Sequence, residues 1–186
     1  FRDQHLSYEQ QRAFANYFGE VAKRGGDRGS PQEKAEGEGV MLISNIRQNG
    51  RPIGTLPDGE MMFHSDTPYT ESPLKATMLY AIEIPSWGGE TLFTNCYKAA
   101  EALPTAVKFR LNGRKAMHVF DYQVTQTPEA GFDRKLLPHF AHPVFRKHPE
   151  SGRTSLYVSE LMTDEIIGLP KEESRELLDY LFEHLR

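Results

Sequence analysis

The sequence predicts an α+β fold with a mainly β core, of the barrel or sandwich kind. Three observations carry this expectation. Short apolar runs that read as strands mix irregularly with helical stretches, without the regular order of a βαβ sheet. Gly- and Pro-rich turn signals interrupt the chain at short intervals. No G-x-G-x-x-G or phosphate-binding loop occurs, which argues against a nucleotide fold.

The elements follow in order. "LSYEQQRAFANYFGE" (6–20) reads as a helix: Ser7 can cap it, Gln10 completes an S-x-x-Q capping box, and Phe14, Tyr17 and Phe18 share a face. "KRGGDRGSPQEKAEGEG" (23–39) is polar and Gly-rich and reads as a mobile loop. "VMLISNI" (40–46) predicts a short buried strand, "GRPIGTLPDGE" (50–60) a turn-rich connection, and "ATMLYAIEIP" (76–85) a strand buried on both faces. "NCYKAAEALP" (95–104) predicts a helix capped by Asn95 and ended by Pro104. "RKAMHVFDY" and "RTSLYVS" read as strands, and the stretch 121–140 as a lid-like insert without a clean period. "LPKEESRELLDYLFEHLR" closes the chain as a helix, with Pro170 near its start, acidic residues in its first turn, and an apolar stripe of Leu177, Leu178, Leu181, Phe182 and Leu185 that belongs to a core.

At 186 residues the chain can bury one substantial core, and 38% hydrophobic with 26% charged residues excludes a disordered polymer. It reads as a single domain, incomplete at its C-terminal end, since Arg186 follows a strong helix with no stop signal and Phe1 is not an initiator. A net charge of −4 without a long basic run predicts neither a nucleic-acid nor a membrane partner. Cys96 is the one cysteine, so there is no internal disulfide and no Cys-rich zinc site, and a cytoplasmic setting fits. A homo-oligomer is compatible with the sequence and not required by it.

The chemistry gathers at "MMFHSDTPY" (61–69). On a strand, His64 and Asp66 point to one face and can reach one point in space. An imidazole and a carboxylate, with a second imidazole, make the facial arrangement that suits non-haem Fe(II) and leaves coordination positions open. The alternative is a solvated polar pair at a strand end, because a lone H-x-D triplet is a weak signal.

The longer context decides the expectation. "FHSDTPYTESPLKATMLYAIEIPSWGGETLFTN" resembles the core of the taurine/2,4-dichlorophenoxyacetate dioxygenase (TauD/TfdA) family of Fe(II)/2-oxoglutarate-dependent oxygenases. Its elements are His64 and Asp66, then Pro73, the apolar run at Leu79 to Ala81, and Pro85, Gly88, Gly89, Glu90 and Thr91 followed by Phe93. "HPVFRKHPESGRTSLYVS" (142–159) resembles the family's second signature, and the resemblance spans essentially the whole chain. Phe63 stands where many members have Trp, and Asp66 argues against the halogenase variants.

The resemblance implies a double-stranded β-helix, a cupin-like jelly roll with flanking helices whose C-terminal core strands are missing from this chain. It implies Fe(II) held by His64 and Asp66 as metal and catalytic residues. Thr91 would donate to a carboxylate of 2-oxoglutarate, and Gly88 and Gly89 would form a tight turn. The reaction implied is hydroxylation of an unactivated C–H of a small, anionic organic substrate by dioxygen, with release of succinate and carbon dioxide. Asn45 and Thr67 are candidates to face substrate, with local backbone hydrogen bonding as the equal alternative. Arg146 and Arg153 either attract an anion or, the better reading, order a turn.

In the family, the second metal histidine and the arginine that grips 2-oxoglutarate lie beyond the last helix, so both are expected after residue 186. His118, His139, His142 and His148 are the competing candidates for the third ligand. Two rival functions follow: a catalytically incomplete jelly-roll binding module lacking the distal histidine, and a metalloenzyme that uses His118 or His142 without 2-oxoglutarate.

Overall fold

The computed structural model describes residues 1–22, 39–54, 61–120 and 136–186. The expected loop at 23–39 lies outside them but for Gly39, as does 121–135 of the expected lid, whose last residues His139 and Phe140 instead begin a core strand. The chain divides into two compact units, Phe1–Glu60 with Leu74–Ile84, and Met61–Pro73 with Pro85–Arg186.

In the first unit, helix α1 (Tyr8–Ala15) begins as its sequence requires. The Ser7 hydroxyl accepts from the Gln10 amide while the Gln10 side chain accepts from the Ser7 amide, so two otherwise orphaned donors are satisfied reciprocally. The aromatic side chains Phe14, Tyr17 and Phe18 meet edge to face, with centroids 5.6 and 6.4 Å apart, yet all three remain exposed. Strands β1 (Arg47–Gln48) and β2 (Arg51–Pro52) form a hairpin across Asn49 and Gly50. Both turn residues have positive φ, 52° and 77°, the conformation that an Asn-Gly turn supplies at low cost. Beside it, Gly54 is obligatory: a Cβ there would lie 2.5 Å from the Ser44 carbonyl oxygen. The Tyr80 hydroxyl accepts from the Leu6 amide and donates to the Gln4 carbonyl, tying 74–84 to the N-terminal segment.

Two expected strands are corrected here. Residues 40–46 and 76–85 enter no ladder among the described residues, and Met41, Ile43, Leu79, Ile82 and Ile84 are exposed. An apolar run becomes a strand only when a neighbour accepts its backbone hydrogen bonds. Neither run is paired in a ladder with another described segment, although the Ile46 carbonyl accepts from the Ile53 amide at 3.1 Å beside the hairpin.

The second unit holds the core. Strand β3 (Lys115–Val119) is central to an antiparallel sheet of order β4-β3-β7, with β4 (His139–Pro143) and β7 (Thr163–Ile166) on either side. A separate hairpin pairs β5 (Phe145–Lys147) with β6 (Thr154–Leu156). Helix α2 (Cys96–Ala102) is capped by the Asn95 side chain, which accepts from the Tyr97 and Lys98 amides, each at 3.1 Å. Pro104 ends that segment and starts a second short helix, α3 (Thr105–Leu111), which the sequence analysis left unassigned. Helix α4 (Lys171–Leu185) buries all five residues of the expected stripe. They pack with Leu111, Ala116, Val144, Leu156 and Ile166 in one continuous core. The Ser174 hydroxyl accepts from the Ile166 amide at 2.8 Å, and the His184 ring donates to the Ala99 carbonyl at 2.9 Å, fixing α4 against β7 and α2. No helix among the described residues is long and apolar enough to cross a membrane.

Candidate functional site

The segment 61–73 joins the second unit as irregular backbone rather than as the end of a core strand, which corrects the expected placement of His64 and Asp66. The two side chains nevertheless converge. His64 Nε2 lies 3.6 Å from Asp66 Oδ1, with both groups partly open to solvent. His64 Nδ1 lies 2.9 Å from the Met62 carbonyl oxygen, which can only accept. Nδ1 therefore carries a proton, and Nε2 is the nitrogen that faces the carboxylate. A backbone carbonyl that fixes the tautomer in this way is the usual support of a metal-binding imidazole.

This donor set fits a divalent metal. A neutral imidazole nitrogen and a carboxylate oxygen are the ligand types of an Fe(II) site. At 3.6 Å apart, both can reach one cation at ligand distances of about 2.0–2.2 Å. Among the described residues no group of three or more His, Cys, Asp or Glu is arranged to hold a metal, so the pair stands two ligands deep.

The turn that follows is held tightly. Thr67 has φ of +50°, a conformation that a β-branched residue rarely adopts. Its carbonyl accepts from both the amide and the hydroxyl of Thr70, at 3.2 and 2.9 Å. Pro68 is fully buried, and Tyr69 packs against Phe120 with ring centroids 4.7 Å apart. The Thr67 carbonyl is thus engaged within the turn.

Each competing histidine makes a contact of its own, and none joins a group of three or more metal-type side chains among the described residues. His142 Nε2 donates to the Thr70 carbonyl at 2.8 Å. His148 Nδ1 accepts from the amides of Glu150 and Ser151, closing the β5–β6 connection. His139 Nδ1 donates to the Leu137 carbonyl. His118 is buried, and its Nδ1 lies 3.1 Å from the Thr163 hydroxyl. Burial, with His142 and Arg146 nearby, pushes the His118 pKa down to about 4. Burial likewise lowers that of His142, against the opposing Thr70 hydrogen bond.

The remaining candidates are dispersed. Thr91 is exposed, two residues after Gly88 and Gly89, whose φ values of 76° and 79° make the expected tight turn. Asn45 is exposed in the first unit, where the neighbouring Ser44 hydroxyl accepts from the Ile46 amide. Arg146 lies over the Tyr157 ring at 4.9 Å; Arg153 lies over Tyr97 at 4.3 Å and pairs with Glu101 at 3.2 Å. Arg146 thus stacks beside the β5–β6 hairpin and Arg153 bridges that hairpin to α2. Burial raises the pKa of the Cys96 thiol, which leaves it a packed and unreactive group. Sequence reasoning missed the buried His118–His142–Tyr157 cluster. Its only signal was an alternation of polar residues on strands whose pairing was not yet known.

Pentalenolactone F synthase of Streptomyces arenae is 33% identical over 193 residues, covering 96% of this chain and 63% of the synthase. The alpha-ketoglutarate-dependent 2,4-dichlorophenoxyacetate dioxygenase of Cupriavidus pinatubonensis is 31% identical over 200 residues, covering 99% of this chain and 67% of that enzyme. A solved taurine dioxygenase from Burkholderia xenovorans superposes with a TM-score of 0.69 at 28% identity, over 100% of this chain and 58% of its own. The chain therefore spans a little over half of that structure and about two thirds of these two relatives. A model of the family described as "Taurine catabolism dioxygenase TauD, TfdA family" matches residues 1–186, and the chain belongs to that family.

Proposed function

We propose that this chain is the ligand-bearing part of an Fe(II)/2-oxoglutarate-dependent dioxygenase that hydroxylates a C–H bond of a small organic anion. The observation that carries the reading is the His64–Asp66 pair, with Nδ1 of His64 committed to a backbone carbonyl and Nε2 free for a metal. Family membership supports it, as does the dependence on alpha-ketoglutarate in the name of the Cupriavidus relative. That relative's 2,4-dichlorophenoxyacetate is a small carboxylate, which supports an anionic substrate.

When bound, Fe(II) and 2-oxoglutarate supply the oxidation: dioxygen and the co-substrate become succinate and carbon dioxide while one oxygen atom enters the C–H bond. The residues of this chain bind and orient. His64 and Asp66 serve as two of the protein ligands and carry no proton in the reaction. No third ligand is assigned among the described residues. Thr91 would donate its hydroxyl to a carboxylate of 2-oxoglutarate. Thr67 and Asn45 would face substrate, and the buried turn at Pro68 would keep water from one side of the metal pair. Holding one C–H in register is the protein's contribution to rate.

The test is succinate formation by the full-length protein with Fe(II), 2-oxoglutarate and a panel of small carboxylates and sulfonates. Succinate that requires Fe(II) and is lost in His64→Ala is the expected result. Absence of succinate together with undiminished binding of those anions in both proteins would instead favour a non-catalytic binding module.

A further inference from the structure

We infer that His142 is a positioning residue for the metal-ligand pair, acting through the backbone of the turn that follows Asp66. This rests on the iron-site reading above and adds to it a residue 76 positions beyond Asp66 in the chain.

His142 sits on β4, opposite Ala116 of the central strand, and is 5% exposed. Three rings fix its plane: Phe140 at 4.8 Å, Tyr157 at 5.5 Å and nearly perpendicular, and His118 at 5.8 Å. The Nε2–H of this immobilised ring donates to the Thr70 carbonyl at 2.8 Å. Thr70 in turn closes the turn on Thr67 through its amide and its hydroxyl. Thr67 is held at positive φ and directly follows Asp66.

The segment 61–73 has no ladder among the described residues, so contacts of this kind must orient it. A hydrogen bond from a rigid, buried ring on the core sheet sets the height and direction of the Thr67–Thr70 turn. That turn sets where the Asp66 carboxylate stands relative to His64. Packing alone would be served by an apolar ring of similar size; the imidazole adds a donor aimed at one carbonyl. Outer groups that orient ligands in this way alter metal affinity without touching the metal.

The test uses the full-length protein, with His142→Phe and His142→Leu removing the donor and His142→Gln offering an amide donor in its place. Two quantities are read: the dissociation constant for Mn(II) by calorimetry, and hydrogen exchange of the Thr70 amide in metal-free protein. The donor-free variants are expected to bind Mn(II) about 10-fold more weakly or worse and to exchange the Thr70 amide faster, with His142→Gln recovering most of both. Using two donor-free variants means that misfolding of one does not end the test. Unchanged Thr70 exchange and Mn(II) affinity in a folded donor-free variant overturn the inference, as does a glutamine variant no better than leucine. Wild-type Mn(II) binding that ignores His64→Ala instead overturns the iron reading, and the metal half of this inference falls with it.

Discussion

The Thr163 hydroxyl, 45 residues along the chain from His118, stands 3.1 Å from Nδ1 of that buried ring. The hydroxyl also accepts from the Ser159 amide at 2.8 Å, and His118 Nε2 has no hydrogen-bond partner among the described residues. The ring lies against His142 on β4 and Tyr157 after β6, and its burial, then His142 and the cationic Arg146 on β5, disfavour a positive charge on it.

Acid stability follows from this arrangement. The folded His118 pKa of about 4 lies below the ordinary 6.5, so between these values the unfolded chain takes up a proton that the folded chain refuses. Stability contributed by neutral His118 is full above pH 6.5, falls as pH drops toward 4, and levels off below that. The loss is on the order of 3 kcal/mol. Urea melts from pH 7.5 to 4 should record this slope, and His118→Phe should flatten it. In the folded wild type, NMR should find the His118 ring still neutral at pH 5.

Metal binding should depend on both members of the pair. His64→Ala and Asp66→Ala are each expected to weaken Fe(II) or Mn(II) binding by more than the roughly 10–100-fold that outer-shell partners cost. Thermal stability without metal should barely change, because both side chains are partly exposed. Calorimetry with the full-length protein, paired with melting curves of the metal-free variants, measures both quantities.

Leu181 lies at the centre of the α4 stripe with no exposed surface. Leu181→Ala removes three methyl(ene) groups' worth of packing and leaves a cavity against the sheet. The expected cost is about 2–5 kcal/mol, read as a lower denaturant midpoint at an unchanged slope.

Asn95 has a more local role. Its side chain accepts from two amides at the start of α2. Asn95→Ala should cost about 1 kcal/mol, while Asn95→Ser should recover most of it. A full-sized loss in the serine variant would mean that something other than the cap holds this helix.

Helices were the most legible part of the sequence. The Ser7–Gln10 capping box, the Asn95 cap and the 177–185 stripe each lie within a few residues of the groups they satisfy, so their periodicity alone was enough to place them. Strands were less so. The runs at 40–46 and 76–85 have the composition of buried strands and form none among the described residues. The short β7 was missed because Thr163–Ile166 mixes buried and exposed residues over only four positions. A strand exists through its partner, and partners are not neighbours in sequence.

By itself the sequence pointed to the family, marked His64 and Asp66 as candidates for a metal pair, and placed the capped helices that frame the core. Only the tertiary structure decided how that pair is presented. The His64 tautomer depends on where the Met62 carbonyl falls, and the turn after Asp66 depends on a hydrogen bond to His142, 72 residues beyond Thr70. The physical reason is reach: capping and helical periodicity act over three or four residues, whereas the orientation of a ligand is set by whichever distant group the fold brings within about 3 Å.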